Sequence, residues 1–450
     1  MYRIKERKIE RAKERPSGTI TLSLFRSLNF QCIRGLKGSS GRYVVGPQLT
    51  YVMNYESLSR RGFVHQLGLA SLAIPAITTL GLQACGGQAG KTTADEASST
   101  TTTTGSSRKI GIALVGLGKY SEEQLAPALE KTTNCRLAGI VTGTPDKAEK
   151  WKKKYDIPDK NVYDYKTFDQ IADNPDIDVV YVVLPNAMHA EYTIRAAKAG
   201  KHVICEKPMA MTPEECQRMI DACKKAGKQL SIGYRLHFEP HNQEMMRLGQ
   251  NQTFGKVTKI IAEDGQVQSE DNPWRLGRGI GSGGPIRDVG IYALQGAIYT
   301  KGQIPIAITA KFHPVTDPKK FDKVEEGADF QLYFPDGTTA ECSASFNKKM
   351  NKLRAEAANG WFELAPAYAY GGLEGETSKG KMNIDNVPQQ ARQMDAFAQC
   401  VLTNTPTTVP GELGMRDVQL IAAIFEAART DKKVDTKNVI QYLDKSALKV

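Results

Sequence analysis

The chain has 450 residues, of which 40% are hydrophobic and 24% are charged, so it can form a complete hydrophobic core in each of two domains. Its formal net charge of +11 comes mainly from residues 1–61, which contain 13 lysines and arginines against 4 acidic residues. That balance of +9 leaves only +2 for residues 62–450. The composition excludes a wholly disordered chain and a polytopic membrane protein, and the nearly neutral body argues against nucleic-acid binding.

Residues 53–85 have the order of an export signal. The pair Arg60-Arg61 precedes an apolar stretch over 67–82, and the segment ends on Leu82-Gln83-Ala84-Cys85. The paired arginines resemble a twin-arginine signal, and the Leu-x-Ala-Cys ending resembles a bacterial lipobox. We therefore expect export by the twin-arginine route, either to the periplasm after cleavage behind Ala84 or to a membrane through a lipid anchor at Cys85.

Composition divides the rest of the chain into an N-terminal extension, a linker and a folded body. Residues 1–52 stand in front of the signal, and we expect them to be a disordered extension or to precede the true start at Met53. Residues 86–107 are rich in threonine and serine, which predicts a flexible linker. The body is predicted to contain a nucleotide-binding domain over 108–234 and a substrate and oligomerisation domain over 235–450.

The first of these domains alternates strand and helix patterns. Ile110–Val115 is a continuous apolar run, typical of a strand buried on both faces. Further strands are predicted, each separated from the next by a helical or loop segment, at 136–141, 162–163, 178–184, 203–205 and 229–233. This succession predicts an α/β fold with a doubly wound parallel sheet of the Rossmann type.

Beyond residue 236 the pattern changes to strands in hairpin succession. Phe334-Pro335-Asp336-Gly337 is a turn between two of them. The predicted strands are 257–262, 304–312, 328–334, 338–345, 353–357 and 360–364, and the predicted helices are 288–300, 387–402 and 411–428. We expect a C-terminal α+β domain with an open, mainly antiparallel sheet.

A glycine-rich turn follows the first strand. Gly116-Leu117-Gly118-Lys119-Tyr120-Ser121 matches G-x-G-x-x-[G/A/S] between a strand and a helix, the pattern of a dinucleotide-binding turn. Gly116 allows the tight turn, and Gly118 lets the backbone approach a pyrophosphate at the helix N-terminus. Predicted cofactor contacts in this turn are Gly116, Gly118, Lys119 and Tyr120.

The end of the second strand indicates which dinucleotide is bound. NAD-binding sites usually place a carboxylate here to bind the ribose hydroxyls. This chain has Thr142-Gly143-Thr144 instead, with Lys147 within reach. Two hydroxyls and a lysine suit a 2′-phosphate, so the sequence favours NADP(H) over NAD, with Thr142, Gly143, Thr144 and Lys147 as cofactor contacts.

Further candidate contacts with the cofactor follow later strands or precede a helix. In an open parallel sheet the carboxyl ends of the strands line the ligand crevice, so residues just after them are expected to face the cofactor. Those predicted contacts, together with a tryptophan–arginine pair further along, are Leu184, Pro185, Asn186, His189, Glu206, Lys207, Trp274 and Arg275. Asp288 and Tyr292 are spaced i, i+4, which places them on one helix face.

These motifs together resemble the Gfo/Idh/MocA oxidoreductase family. The resemblance rests on the glycine turn, Thr-Gly-Thr-x-x-Lys, Glu206-Lys207-Pro208 and Asp-x-Gly-Ile-Tyr ending at Tyr292. The segment 233–240 (Gly-Tyr-Arg-Leu-His-Phe-Glu-Pro) and Trp-Arg-Leu at 274–276 are similar to the glucose–fructose oxidoreductase branch. The similarity spans residues 108–435, with the motifs in the family's order.

The resemblance implies a sugar oxidoreductase. Tyr292 would be the acid/base that exchanges a proton with the sugar hydroxyl, and the Lys207 ammonium would stabilise its phenolate. Asp288 would hold the substrate hydroxyl or orient Lys207. The implied substrate-binding residues are Tyr234, Arg235, Arg275 and Tyr292. No metal is expected, since none of the eight cysteines forms a C-x-x-C pair.

Export adds a constraint on the cofactor, because NADP(H) is made in the cytoplasm. We expect the protein to fold around its cofactor and keep it, so that one sugar reduces it and a second substrate reoxidises it in a ping-pong cycle. Alternatives are a dehydrogenase with an exchangeable NAD(P), a nicotinamide-dependent glycosidase of the same fold, and a non-catalytic sugar sensor. A dimer or tetramer is expected in each case.

Overall fold

The computed structural model describes residues 108–271, 273–278 and 283–443. The predicted extension, export signal with Cys85, and linker lie outside the described residues. Within the described ranges, no helix is both long enough and apolar enough to span a membrane.

The first sheet has six parallel strands in the order β3-β2-β1-β4-β5-β6. The strands are β1 (Ile110–Val115), β2 (Cys135–Val141), β3 (Val162–Tyr163), β4 (Val179–Val182), β5 (His202–Cys205) and β6 (Leu230–Ile232). Val115 is level with Val141 on one side and with Val182 on the other, so the carboxyl ends of the central strands form one edge. The predicted doubly wound parallel sheet is confirmed.

Alternation along β1 explains why the strand is apolar throughout. Ile112 and Leu114 pack into the core on one face of the sheet, and Ala113 and Val115 pack into the core on the other. Helices cover both faces of the sheet, and those that connect its strands are α1 (Ala126–Leu129), α2 (Pro145–Tyr155), α3 (His189–Lys198) and α4 (Pro213–Lys225). A π-helical turn, Ser121–Leu125, leads from the glycine-rich segment into α1.

The second sheet has nine strands in the order β14-β13-β12-β11-β7-β10-β9-β8-β15. They are β7 (Val257–Gly265), β8 (Ala307–Phe312), β9 (Gly327–Tyr333), β10 (Thr339–Ser345), β11 (Met350–Ala357), β12 (Gly360–Leu364), β13 (Gly375–Thr377), β14 (Gly380–Met382) and β15 (Val434–Asp435). All neighbours are antiparallel except β7 and β10, which run parallel. The predicted succession of hairpins is therefore wrong at β7. This strand pairs with β11 on one side and with β10 on the other, and both come much later in the chain.

Four longer helices belong to the C-terminal part of the chain: α5 (Pro240–Gln250), α6 (Ile291–Lys301), α7 (Gln389–Thr403) and α8 (Gly411–Thr430). The sequence did not predict α5, whose N-terminus is capped by the Glu239 carboxylate accepting from the Asn242 backbone N–H at 2.8 Å. Helix α7 packs against the parallel sheet, where Met394 and Phe397 share a core with Leu114. The C-terminal segment thus completes the first domain's core.

Candidate active site

A cavity of about 490 Å³ opens at the carboxyl edge of the parallel sheet. Seventeen of the predicted site residues line it: Gly116, Gly118, Lys119, Tyr120, Thr142, Gly143, Thr144, Lys147, Leu184, Pro185, Asn186, Glu206, Lys207, Trp274, Arg275, Asp288 and Tyr292. The remaining lining residues are Leu117, Tyr165, Val183 and Tyr370. Segments as far apart in the chain as Gly116 and Tyr370 therefore meet around one space.

The glycine-rich turn forms one wall of this cavity. Gly116 has φ +95°, and a Cβ there would overlap the carbonyl oxygen of Val183, so only glycine fits. Ser121, which replaces the third glycine of the pattern, is buried and donates a hydrogen bond from Oγ to the Gly116 carbonyl at 2.6 Å. A Cβ on Gly118, in contrast, would meet no atom within 4 Å. The space beside Gly118 is thus open on the cavity side, as a pyrophosphate cradle requires.

The two glycines give a matched pair of variants. Gly116→Ala is expected to lower the free energy of unfolding by about 2 kcal/mol or more, through the positive φ and the overlap. Gly118→Ala is expected to leave stability almost unchanged but to weaken NADPH binding roughly tenfold, because the methyl group fills the cradle. Denaturant unfolding and NADPH titration measure both. Equal losses of stability in the two variants would contradict this assignment.

The ends of β2 and β3 form the part of the cavity beyond the glycine turn. Thr144 donates its backbone N–H to the Thr142 hydroxyl at 3.3 Å, and the Lys147 ammonium donates to the Leu117 carbonyl at 3.1 Å. Among the described residues, the carboxylates that line the cavity are Glu206 and Asp288, and both come from other elements. The lysine and two hydroxyls at this end can bind a phosphate.

The opposite end of the cavity contains a charged cluster. The Lys207 ammonium lies 3.2 Å from Oδ1 of Asp288 and donates to the Asp288 carbonyl at 2.6 Å. The Arg275 Nε lies 2.9 Å from Oδ2 of the same carboxylate. Asp288 therefore holds two cations, one from the end of β5 and one from the segment that precedes its own helix.

The charges in this cluster stabilise each other. Burial lowers the pKa of Lys207, but the neighbouring Tyr292, Asp288 and Glu206 outweigh that effect and raise it above its ordinary value. Burial alone would raise the pKa of Asp288, yet Arg275 and Lys207 bring it below its ordinary value. Lys207 is therefore an ammonium and Asp288 a carboxylate at neutral pH.

Tyr292 lies against this ammonium. The Lys207 Nζ is 4.5 Å from the centroid of the Tyr292 ring, and the guanidinium carbon of Arg235 is 5.0 Å from the same centroid. Asp288 belongs to a π-helical turn, Ile286–Gly290, that runs directly into α6, and Tyr292 is in the first turn of α6. Both side chains therefore reach the cavity from one continuous helical segment, which agrees with their predicted shared face.

Glu206 lies at the base of the cluster. One carboxylate oxygen accepts the Tyr181 hydroxyl at 2.7 Å, and that hydroxyl accepts from the Gln393 amide of α7 at 2.8 Å. Burial raises the pKa of Glu206, although Tyr181 and Lys207 oppose the shift. A Cβ on Gly233 would come within 2.6 Å of its oxygen, so the glycine makes room for this carboxylate. The chain of bonds fixes Glu206, and with it the neighbouring Lys207 backbone.

Three predicted contacts do not reach the cavity wall, and their roles are corrected. His189 is fully buried, with Nδ1 2.9 Å from the Pro208 carbonyl and Nε2 2.8 Å from the Leu184 carbonyl, so it links two strand ends beneath the cofactor site. Tyr234 is enclosed in the hydrophobic core. Arg235 is buried behind Tyr292, where it donates to the backbone carbonyls of the loop that carries Tyr370. None of the three is among the described residues that line the cavity.

Of the four lining residues that the sequence did not predict, Tyr165 and Tyr370 carry hydroxyl groups. Tyr165 follows β3, and a Cβ on Gly143 would lie 3.0 Å from its ring. Residues just after the strands of an open parallel sheet are expected to face the ligand crevice, so the same argument could have identified Tyr165. Tyr370 is in the loop between β12 and β13 and carries no local signal. In the described part of the chain, no group of three or more histidine, cysteine, aspartate or glutamate side chains could hold a metal ion.

The arrangement can perform acid–base chemistry on a hydroxyl group. It places a phenol beside a fixed ammonium, and the ammonium is held by a carboxylate that also binds a guanidinium. An ammonium stabilises the phenolate that forms when the phenol loses its proton. The same cavity contains a turn that fits a dinucleotide, so both halves of an oxidation of a hydroxyl group are present.

Comparison with known proteins agrees with this arrangement. Residues 110–234 match the model of the oxidoreductase family with an NAD-binding Rossmann fold, and residues 242–363 match the GFO/IDH/MocA C-terminal domain. The crystal structure of aldose-aldose oxidoreductase from Caulobacter crescentus is similar with a TM-score of 0.71 and 39% identity, covering 73% of this chain and 100% of that one.

Two curated relatives extend the comparison. D-xylose 1-dehydrogenase [NADP(+)] of Haloarcula marismortui is 28% identical over 344 residues, which cover 74% of this chain and 94% of that protein. D-glucoside 3-dehydrogenase of Escherichia coli is 26% identical over 354 residues, which cover 73% of this chain and 98% of that protein.

Proposed function

Because the chain belongs to the GFO/IDH/MocA family of oxidoreductases, we propose that it oxidises a hydroxyl group of an aldose with NADP(H) bound in the cavity described above. It is an NAD(P)-dependent oxidoreductase that acts on CH–OH groups of sugars. The observation that carries the proposal is the position of the Lys207–Tyr292 pair in the same cavity as the open cradle at Gly118. Names of the relatives support an aldose, since one acts on D-xylose with NADP⁺ and another is an aldose-aldose oxidoreductase.

The residues that line the cavity suit the phosphate groups of NADP(H). Gly116 and Gly118 would hold the pyrophosphate, and Thr142, Thr144 and Lys147 would bind the 2′-phosphate. When bound, the nicotinamide supplies the two-electron redox chemistry that sugar oxidation requires.

The chain's own residues move the proton. The phenolic oxygen of Tyr292 takes the proton from the sugar hydroxyl, and the Lys207 ammonium stabilises the resulting phenolate. Asp288 keeps Lys207 in place through the 3.2 Å ion pair and the 2.6 Å bond to its carbonyl. Arg275 pairs with the second oxygen of Asp288, with its Nε 2.9 Å from Oδ2, and so holds the carboxylate that positions Lys207.

A panel of aldoses assayed with NADP⁺ and with NAD⁺ tests this function. We expect an aldose of the panel to reduce the bound nicotinamide of protein reloaded with NADP⁺, and we expect the nucleotide-free protein to bind NADP⁺ more tightly than NAD⁺. Release of an aryl group from aryl glycosides without net cofactor reduction would instead identify a glycosidase, and sugar binding without turnover would identify a sensor.

Cofactor preference is tested at Lys147. Lys147→Ala is expected to weaken binding of NADP(H) about 10- to 100-fold and to leave binding of NAD(H) almost unchanged, because only the 2′-phosphate needs the ammonium. Lys150→Ala is a matched control on the same helix, since Lys150 pairs with Glu122 at 2.6 Å and does not line the cavity. Equal weakening of both dinucleotides would contradict the assignment of the phosphate site.

We also propose that the protein is exported with its cofactor retained and works by a ping-pong cycle between two sugars. The support is the twin-arginine pattern at Arg60-Arg61 combined with the NADP-type turn, and the name of the aldose-aldose oxidoreductase fits such a cycle. Replacement of both arginines by lysine should keep the protein in the cytoplasm. A mature protein purified without nicotinamide, or one that releases NADPH in each turnover, would contradict retention.

A further inference from the structure

Tyr370 is an exposed aromatic residue inside the candidate active site. Its side chain is 49% exposed, although it lines the same cavity as Lys207, Asp288 and Tyr292. The other large apolar residues of comparable exposure in the described ranges are Val267, Val315 and Leu402, and none of them lines this cavity. An exposed aromatic surface in a concave site is typical of a surface that a ligand covers.

The Tyr370 ring is held in place by a buried cation. The guanidinium carbon of Arg235 lies 4.4 Å from the centroid of Tyr370 and 5.0 Å from the centroid of Tyr292, so it contacts both rings. Arg235 is itself fixed from the far side, where it donates to the backbone carbonyls of Tyr368 and Ala369 and to the Gln389 side chain. The position of Tyr370 relative to the acid/base residue is therefore set by a shared, immobile partner.

The other neighbour of Tyr370 belongs to the glycine-rich turn. The centroids of Tyr120 and Tyr370 are 5.8 Å apart, with the two rings tilted by 32°. Tyr370 thus lies between the cofactor turn on one side and the Tyr292 end of the cavity on the other. A sugar held at Tyr292 for oxidation has to lie in this part of the cavity.

We propose that Tyr370 is a substrate-binding residue whose ring packs against the C–H face of an aldose ring, with its hydroxyl bonding to a sugar hydroxyl. This inference rests on the proposed function and names the surface that selects a cyclic sugar. A pyranose presents C–H groups on its face and hydroxyls at its edge, and a tyrosine offers an apolar face and a polar tip to match. The Tyr370 hydroxyl is a phenol that can donate a hydrogen bond to a sugar hydroxyl.

Steady-state kinetics with D-xylose and D-glucose on three variants test the proposal. Tyr370→Ala is expected to raise the aldose KM about tenfold with kcat within about twofold of wild type, because loss of an aromatic contact worth about 1.4 kcal/mol weakens binding by that factor. Tyr370→Phe keeps the ring and is expected to raise KM only about two- to threefold. Leu402→Ala is the matched control: Leu402 is 43% exposed on α7, outside the cavity, and its truncation should leave KM unchanged.

Binding of NADPH to the same variants separates the sugar from the cofactor. We expect the amount of NADPH bound at a fixed concentration to be the same in wild type and Tyr370→Ala. An unchanged aldose KM in Tyr370→Ala, an equal rise in the Phe and Ala variants, or a loss that falls on NADPH binding would each overturn the proposal. If the wild-type protein oxidises no aldose, the proposed function fails and this inference fails with it. If the wild-type protein oxidises an aldose and Tyr370→Ala leaves the aldose KM unchanged, only this inference fails.

Discussion

Replacement of Tyr292 by phenylalanine is expected to lower kcat by a factor of about 100 to 10,000, because it removes the group that takes the sugar proton. The ring keeps its packing between Lys207 and Arg235, so the fold and the cofactor site should be preserved. NADPH binding should therefore stay within about twofold of wild type. Initial rates with an aldose, together with NADPH titration, measure both effects.

A phenol elsewhere in the first domain provides the control for this variant. Tyr155 packs on Trp151 with ring centroids 5.1 Å apart and does not line the cavity. Tyr155→Phe removes the same hydroxyl group and should leave kcat unchanged. If Tyr292→Phe retained more than about a tenth of wild-type kcat, Tyr292 would not be the acid/base.

The second large effect is expected at Lys207. Lys207→Met keeps the length of the side chain but removes the ammonium, so kcat should fall at least about 100-fold as the phenolate loses its counter-charge. The Asp288 carboxylate would then be left buried with Arg275 alone. We expect a loss of unfolding free energy of about 3 kcal/mol, the lower end of the range for breaking a buried pair.

The double variant Lys207→Met/Asp288→Asn separates these two effects. Neutralising Asp288 removes the uncompensated charge, so stability in urea should recover by at least about 1 kcal/mol. Activity should not recover, because the phenolate still has no ammonium beside it. Recovery of kcat in the double variant would show that Lys207 serves only to hold Asp288.

The sequence was sufficient for the parallel sheet and for many of the residues around the cavity because the topology of such a sheet places the ends of its strands together. Lys207 follows β5 and Thr142 follows β2, and sheet order alone brings them to one edge. Their convergence with Asp288 and Tyr292 was implied by the family's motifs and could not follow from periodicity. The structure shows that a π-helical turn and α6 provide it.

Other features depend on contacts that no local pattern reports. The parallel pairing of β7 with β10 joins segments about 80 residues apart, and a strand's own sequence does not identify its partner. Arg235 and His189 are polar residues in motif positions, yet both contact backbone carbonyls behind the cavity. The sequence alone does not show whether a cationic side chain is buried for structural reasons or binds a ligand. The position of Tyr370 in the cavity depends on the loop that places its ring over the Arg235 guanidinium.

The most direct measurement is a single-turnover experiment on protein loaded with NADP⁺ and mixed with an excess of aldose. Formation of enzyme-bound reduced nicotinamide is followed by its near-ultraviolet absorbance in wild type and in Tyr292→Phe. We expect a rapid rise in wild type, and in the variant the same bound NADP⁺ with almost no reduction. Absence of any rise in wild type across the aldose panel, or equal rates in the two proteins, would contradict the assignment of this cavity as an aldose oxidation site.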